Sequence, residues 1–226
     1  IDAVYIPLAN EEHVQIALKC IRAKKHVLIE KPMALKSSEV AILFEESKRF
    51  NVKIMEGFMY AFHPQFDRIQ NVIKSNILGE VNYAHSMFSF PIQPARYYRI
   101  NRNMKKGGGA LWDIGPYAIH TIRQCFKDNP IKVYASAKLN EHGADISTTG
   151  MIDFGNYKRA TFDISFECTR RSEFEAFGPL GRVKCPVVWQ PEDKTAKVVY
   201  TTEGSGMKEE VVPQANHFVL EINHFN

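Results

Sequence analysis

The sequence predicts an α/β fold in two parts. A partial, doubly wound parallel layer spans residues 1–58. An α+β unit with a large, mainly antiparallel, open-faced sheet spans 59–226. Three observations carry this. Short apolar runs alternate with helical periodicity as far as Met55. Beyond it the strands lengthen and alternate apolar with polar residues. No glycine-rich turn, the usual opening of a doubly wound domain, accompanies the first strand.

Val4-Tyr5-Ile6 reads as a strand. Glu11 to Ala23 reads as a helix, because Val14, Ala17, Leu18 and Ile21 recur at i, i+3, i+4 and i+7. His26 to Ile29 is a second strand and Val52 to Met55 a third. Between them Ser37 to Phe50 reads as a helix, with Ser37 or Ser38 as its N-cap. Continuous apolar strands joined by helices imply right-handed crossovers and a parallel sheet covered on both faces. This is half of a Rossmann-type nucleotide-binding domain. The other half is expected upstream of Ile1, and the helix begun at Phe218 to Asn226 is expected to run on. On that reading the 226 residues alone do not bind a dinucleotide.

After Met55, Pro64 to Ser75 and Leu111 to Phe126 read as helices and Val81 to Phe90 as a strand. Further strands are expected at Ile131–Leu139, Ile146–Phe154, Tyr157–Cys168, Glu173–Phe177 and Lys197–Thr201. Phe162, Ile164, Phe166 and Cys168 face one way and Thr161, Asp163, Ser165 and Glu167 the other. Ile131, Val133, Ala135, Ala137 and Leu139 repeat the pattern. One face of this sheet is expected under helices. The other is broad and polar, suited to a homodimer or homotetramer.

Composition narrows the function. The chain is 45% hydrophobic and 24% charged, as soluble globular domains are. Its net charge of +4 comes with no long basic block, only short pairs such as Lys105-Lys106 and Arg170-Arg171, so nucleic acid is not an expected partner. No apolar run approaches the roughly 18 residues of a membrane span. Cys20, Cys125, Cys168 and Cys185 form no CxxC pair and no signal peptide is visible, which predicts reduced, buried thiols in a cytoplasmic protein. The histidines show no HxH or HxxxH spacing, so no metal site is expected.

Three stretches carry chemistry. Glu30-Lys31-Pro32 ends a parallel strand, at the sheet edge where ligands bind. The proline biases Lys31 toward an extended backbone. A surface ion pair of Lys31 with Glu30 accounts for the position equally well. In "GGGALWDIGPY", Gly107 to Tyr117, the glycines allow close backbone approach, and Asp113 and Tyr117 share a helix face. Asp113 as a plain N-cap, with Pro116 in the first turn and Tyr117 in the core, is the competing account. "EGFMYAFHPQF", Glu56 to Phe66, is an aromatic crossover between the two parts, and packing accounts for most of its side chains.

In this order and spacing, the three stretches resemble the glucose–fructose oxidoreductase, inositol dehydrogenase and rhizopine-catabolism family, over essentially the whole chain. Lys31 matches that family's catalytic lysine. Asp113 matches the acid opening its D-x-G-x-H/Y signature. Tyr117 stands at the signature's last position, as in the branch with xylose dehydrogenases and dimeric dihydrodiol dehydrogenases. Pro7, Asn10, His13 and Glu30, with Lys31, match positions at the nicotinamide end of the cofactor site. Arg99 or Arg102 matches an arginine near the cleft, and Ala61 departs from an arginine common in the crossover.

The resemblance implies NAD or NADP as cofactor. It also implies hydride transfer between the nicotinamide and a CH–OH carbon of a sugar, polyol or related diol. Tyr117 is expected as general base, with Lys31 drawing its pKa down from about 10. Asp113 is expected to orient the substrate hydroxyl or to hold Lys31. The alternative is a non-catalytic, NAD(P)-binding regulator of the same fold, which has no use for this trio. A phosphate-binding or transferase unit built on the triple glycine is disfavoured, because no Lys-Ser/Thr follows it.

Overall fold

Three short apolar strands build the first sheet. Ala3–Ile6 (β1), His26–Glu30 (β2) and Ile54–Gly57 (β3) pair in parallel in the order β1-β2-β3. The computed structural model describes residues 1–191 and 196–226. Helices His13–Arg22 (α1) and Ser37–Phe50 (α2) connect the strands. Ala17 and Ile21 of α1 and Leu43 of α2 form one apolar cluster with Ile6, Val27 and Ile29. The first turn expected of α1 is instead a 3-10 turn over Asn10–Glu12. Neither serine caps α2. Lys36 is the N-cap residue, and its N–H donates to the Glu39 carboxylate at 3.1 Å.

The chain then crosses through a 3-10 turn, Met59–Phe62, into helix Pro64–Lys74 (α3) and strand Tyr83–Ser89 (β4). Two 3-10 turns, Pro94–Arg99 and Met104–Lys106, lead to helices Ala110–Asp113 (α4) and Gly115–Phe126 (α5). The expected single helix over Leu111–Phe126 is thus two. Pro116 has no N–H to continue the ladder and its ring clashes with the preceding turn, so the helix stops at Asp113 and restarts.

Strands follow at Lys132–Leu139 (β5), Asp145–Gly155 (β6), Lys158–Ser165 (β7), Arg171–Gly178 (β8), Gly181–Cys185 (β9), Lys197–Thr202 (β10) and Gly206–Val211 (β11). They join β4 in an eight-stranded sheet, order β11-β10-β9-β8-β4-β7-β6-β5. Only β4 and β7 run parallel; every other pairing is antiparallel. Helix His217–Phe225 (α6) packs on the Met59–Phe62 turn.

Alternation holds in β7, where Phe162 and Ile164 are buried against α5. Cys168 lies beyond the end of that strand and is exposed, while Cys125 and Cys185 are buried and Cys20 lies between. The same alternation fails in β5. Val133 and Leu139 are 58% and 55% exposed. β5 is the outermost strand, and α5 packs chiefly on β4, β7 and β8 and touches β6 through Phe126 and Phe154. The face away from the helices is laced with ion pairs, Lys184 with Glu173 and Glu175, and Arg171 with Asp163.

Candidate active site

β2 ends on Glu30 and hands the chain to Lys31, whose peptide bond to Pro32 is cis. Lys31 does not pair with Glu30. Its Nζ donates to the Asp113 carbonyl oxygen at 2.6 Å and to Asp113 Oδ1 at 3.2 Å. The guanidinium of Arg99 donates to the same Oδ1. Burial alone would push the Asp113 carboxyl up; Lys31 first and then Arg99 outweigh it and hold the group below the ordinary carboxylate range. Asp113 Oδ2 is buried and has no hydrogen-bond partner among the described residues.

Asp113 is delivered here by α4, not used as an N-cap; it is the last residue of that helix. Asp145, fully buried at the start of β6, accepts the Leu111 N–H at 2.9 Å through Oδ2. Thr148 Oγ1 donates to the same oxygen at 2.7 Å. Gly109, with φ +107°, passes so close that a Cβ there would run into Asp145 Oδ1. The third glycine is therefore required for the turn that aims α4 at Lys31.

Tyr117 lies one turn further on. The Lys31 ammonium stands 5.1 Å from the centroid of its ring. The Tyr117 hydroxyl donates to Met59 Sδ at 3.6 Å, a weak acceptor. Burial, then the carboxylates of Glu30 and Asp113, push the phenol up from its ordinary value. The net shift is upward, against the pull expected from Lys31, whose ammonium lies over the ring face and is held by Asp113.

The small sheet supplies the opposite wall. Pro7 and Asn10 follow β1 and line the cleft with Glu30 and Lys31. Asn10 Nδ2 donates to the Gly107 carbonyl at 2.8 Å, tying this wall to the glycine turn. The Tyr5 hydroxyl donates to Glu30 Oε1 at 2.6 Å. His13 does not reach the cleft. It is fully buried, with Nδ1 on the Pro32 carbonyl at 2.8 Å and Nε2 on the Leu8 carbonyl at 3.0 Å. It staples the two loops that carry Asn10 and Lys31.

In the crossover stretch, Tyr60 is buried, with its hydroxyl on His120 Nδ1 at 2.6 Å and on Thr121 Oγ1 at 2.7 Å. Ala61 packs against the large core. Among the described residues, no group of His, Cys, Asp or Glu side chains is placed to hold a metal ion.

Residues 1–58 match the oxidoreductase family with NAD-binding Rossmann fold, and residues 66–184 match the GFO/IDH/MocA C-terminal domain. The chain belongs to the GFO/IDH/MocA family. An oxidoreductase of Rhizobium meliloti is 36% identical over 180 residues, covering 79% of this chain and 53% of that protein. The trans-1,2-dihydrobenzene-1,2-diol dehydrogenase of Xenopus laevis is 28% identical over 227 residues, covering 93% and 67%. Among solved structures, the 3-ketoreductase KijD10 of Actinomadura kijaniata, in complex with NADP and TDP-benzene, superposes with a TM-score of 0.88. It is 25% identical, and the match covers all of this chain and 69% of that one. The chain thus spans about half to two thirds of the length of these curated relatives.

For a GFO/IDH/MocA chain the cleft, about 680 Å³, is well placed, at the carboxyl ends of β1 and β2. The residues present fit the nicotinamide end of a dinucleotide. Pro7 and Asn10 form a wall after β1, and the Gly107 backbone approaches Asn10 so closely that a Cβ would stand 2.6 Å from the Asn10 Cβ. No helix among the described residues is long and apolar enough to cross a membrane.

Three residues near this site were not singled out from the sequence. Glu221 of α6 is 3% exposed, and burial, then the charge of Glu30, pushes its carboxyl up to about 7. Arg96 and Arg170 line the cleft from the turns flanking β4 and β8. The signal for Glu221 was an acid one turn beyond Phe218 on the apolar face of a terminal helix. Nothing in the sequence set the two arginines apart from solvated surface cations.

Proposed function

We propose that the protein is an NAD(P)-dependent oxidoreductase moving a hydride between the nicotinamide and a CH–OH carbon of a sugar, polyol or related diol. The observation that carries this is the meeting of Lys31, from the end of β2, with Asp113 and Tyr117, from α4 and α5, in one cleft. The names of the relatives, a diol dehydrogenase and a ketoreductase, support the same reaction class. In this reading residues 1–58 carry the cofactor and 59–226 the substrate. The open sheet face joins copies of the chain into a dimer or tetramer, and the protein is cytoplasmic.

The nicotinamide, held by Pro7, Asn10, Glu30 and Lys31, supplies the two-electron hydride chemistry. The chain's own residues manage the proton. Tyr117 is protonated at rest, since burial and two nearby carboxylates oppose its ionisation. In the reducing direction its O–H leaves the Met59 sulfur and protonates the substrate carbonyl oxygen. The tyrosinate formed is then stabilised by the Lys31 ammonium above its ring. In the oxidising direction that tyrosinate is the base. Asp113 Oδ2 is the free acceptor for a neighbouring substrate hydroxyl.

The test is an aldose and diol panel with both NAD and NADP on the full-length protein, read by absorbance of the reduced nicotinamide. Tyr117→Phe is expected to lower kcat about 10²–10⁴-fold with cofactor affinity unchanged. A phenylalanine variant that keeps most of its turnover would remove Tyr117 from the proton step.

A further inference from the structure

The charged side chains of the cleft separate into compensated and uncompensated groups. Lys31 and Arg99 both bind Asp113, and Glu30 lies beside them in the same cleft. Two cations and two carboxylates leave that part neutral. Arg102 Nη1 meets Glu11 Oε1 at 2.6 Å and Oε2 at 2.7 Å, which neutralises the third cation. Two cations remain. Among the described residues Arg170 Nη2 donates to a neutral group, Gln190 Oε1, at 2.9 Å and has no ion pair. Arg96 has no ion pair or hydrogen bond among the described residues. Two arginines that line this cleft, Arg96 and Arg170, therefore have no carboxylate partner among the described residues.

The placement is also directional. Arg96 lies on the Pro94–Arg99 turn after β4, and Arg170 immediately precedes β8, the strand paired with β4. Both belong to the wall contributed by the large sheet. The residues fitted to the nicotinamide end, Pro7 and Asn10, belong to the small sheet. Tyr98, 54% exposed, lines the same cleft. Guanidinium groups form bidentate contacts with carboxylate and phosphate oxygens, and neutral sugars offer no such partner.

We propose that the cleft takes an anionic sugar, one bearing a carboxylate or phosphate, and that Arg96 and Arg170 bind that group at the mouth. The proposal rests on the oxidoreductase reading for the nature of the sugar, but the anion subsite stands on the arginines. The anion is the substrate's own. A phosphate of the cofactor is the other source of the same chemistry.

Calorimetric titration of the full-length protein separates these. The probes are D-glucose, D-glucuronate, D-glucose 6-phosphate and NADPH, each against wild type, Arg96→Ala/Arg170→Ala and Arg96→Lys/Arg170→Lys. Both arginines are exposed, so the substitutions leave folding intact. The two anionic sugars are expected to bind wild type on the order of tenfold or more tighter than D-glucose. That preference should vanish in the alanine variant, survive in part in the lysine variant, and weaken with added salt, because exposed charges are screened. The proposal is overturned if the anionic sugars bind no better than D-glucose, or if their preference survives both alanines. It is also overturned if the alanine pair weakens NADPH alone. An anion preference without nicotinamide turnover on any sugar sinks the oxidoreductase reading and leaves the subsite intact.

Discussion

At the floor of the cleft, Lys31 and Arg99 converge on one carboxylate that is almost wholly buried; at the mouth, Arg96 and Arg170 face water with none among the described residues. The same kind of cation is used in two opposite ways. A charge removed from water must be matched on the spot, because leaving it unpaired costs several kcal/mol. An exposed arginine keeps its hydration and needs no partner. The floor is therefore built for geometry, with its charges already committed. The mouth keeps charge in reserve for a ligand. Experiments that change one without the other test that division.

The largest effect on stability is expected from the floor. Asp113→Asn leaves Lys31 and Arg99 facing each other without a counter-charge, and should cost about 3–5 kcal/mol in denaturant unfolding. Arg96→Ala at the mouth should stay within about 0.5 kcal/mol of wild type. In the double variant Lys31→Met/Asp113→Asn the two changes should partly cancel, since the pair is removed together. A cost below about 1 kcal/mol for Asp113→Asn would show that the floor does not depend on its carboxylate. Because Asp113 is held below the ordinary range, its contribution is complete above that range and is lost as pH falls through it.

Glu221 titrates in the opposite sense. Burial, then the charge of Glu30 of β2, raises its carboxyl from 4.5 to about 7, and it acts in turn on Tyr5 of β1 and Tyr117 of α5. The folded chain holds a proton that the unfolded chain has released. The stability it contributes is complete below about pH 4.5 and is lost as pH rises through about 7. The shift corresponds to about 3 kcal/mol. Glu221→Gln, neutral at every pH, should flatten the stability profile over that window. The window for Asp113 lies lower, so one pH series of unfolding curves reads both groups. A wild-type profile that is already flat between pH 5 and 8 would show that Glu221 ionises freely.

How much of this was legible depends on whether the signal was local. Helix α2 was read to the residue because no glycine or proline interrupts the segment from Ser37 to Phe50. Lys31, Asp113 and Tyr117 could be singled out because each sits in a short motif with its own turn chemistry. β11 escaped because it carries Lys208, Glu209 and Glu210 in succession, with no alternation to mark a strand. β9 did have a signal, the Gly178-Pro179-Leu180-Gly181 turn before it, but only five residues of strand. Exposure of β5 could not be read at all, because it depends on where α5 stops rather than on the strand's own residues. The charges of the cleft were illegible for the same reason. Arg170 and Arg171 are adjacent, yet one turns to the cleft and the other to Asp163 on the open face. Only the fold tells them apart.

The smallest stability effect expected of a buried charge concerns how the floor is aimed. Asp145 touches neither Lys31 nor the cleft; it holds the Leu111 N–H, and through it the helix that ends on Asp113. Its carboxyl is raised by burial, against the hydrogen bonds from Thr148 and Leu111. Asp145→Ala relieves that burial but releases the cap, so a net loss of only about 0.5–2 kcal/mol is expected. Turnover should suffer more than stability. A helix of four residues, Ala110–Asp113, cannot keep its direction once its first turn is freed. A displacement of Asp113 by about 1 Å can cost as much as 10²-fold in rate. The fall should lie in kcat, while the anion preference of the mouth stays as in wild type, since neither Arg96 nor Arg170 lies on α4. If Asp145→Ala lowered stability by several kcal/mol with kcat unchanged, Asp145 would be a core residue alone, and the aim of Asp113 would have to come from Lys31 and Arg99.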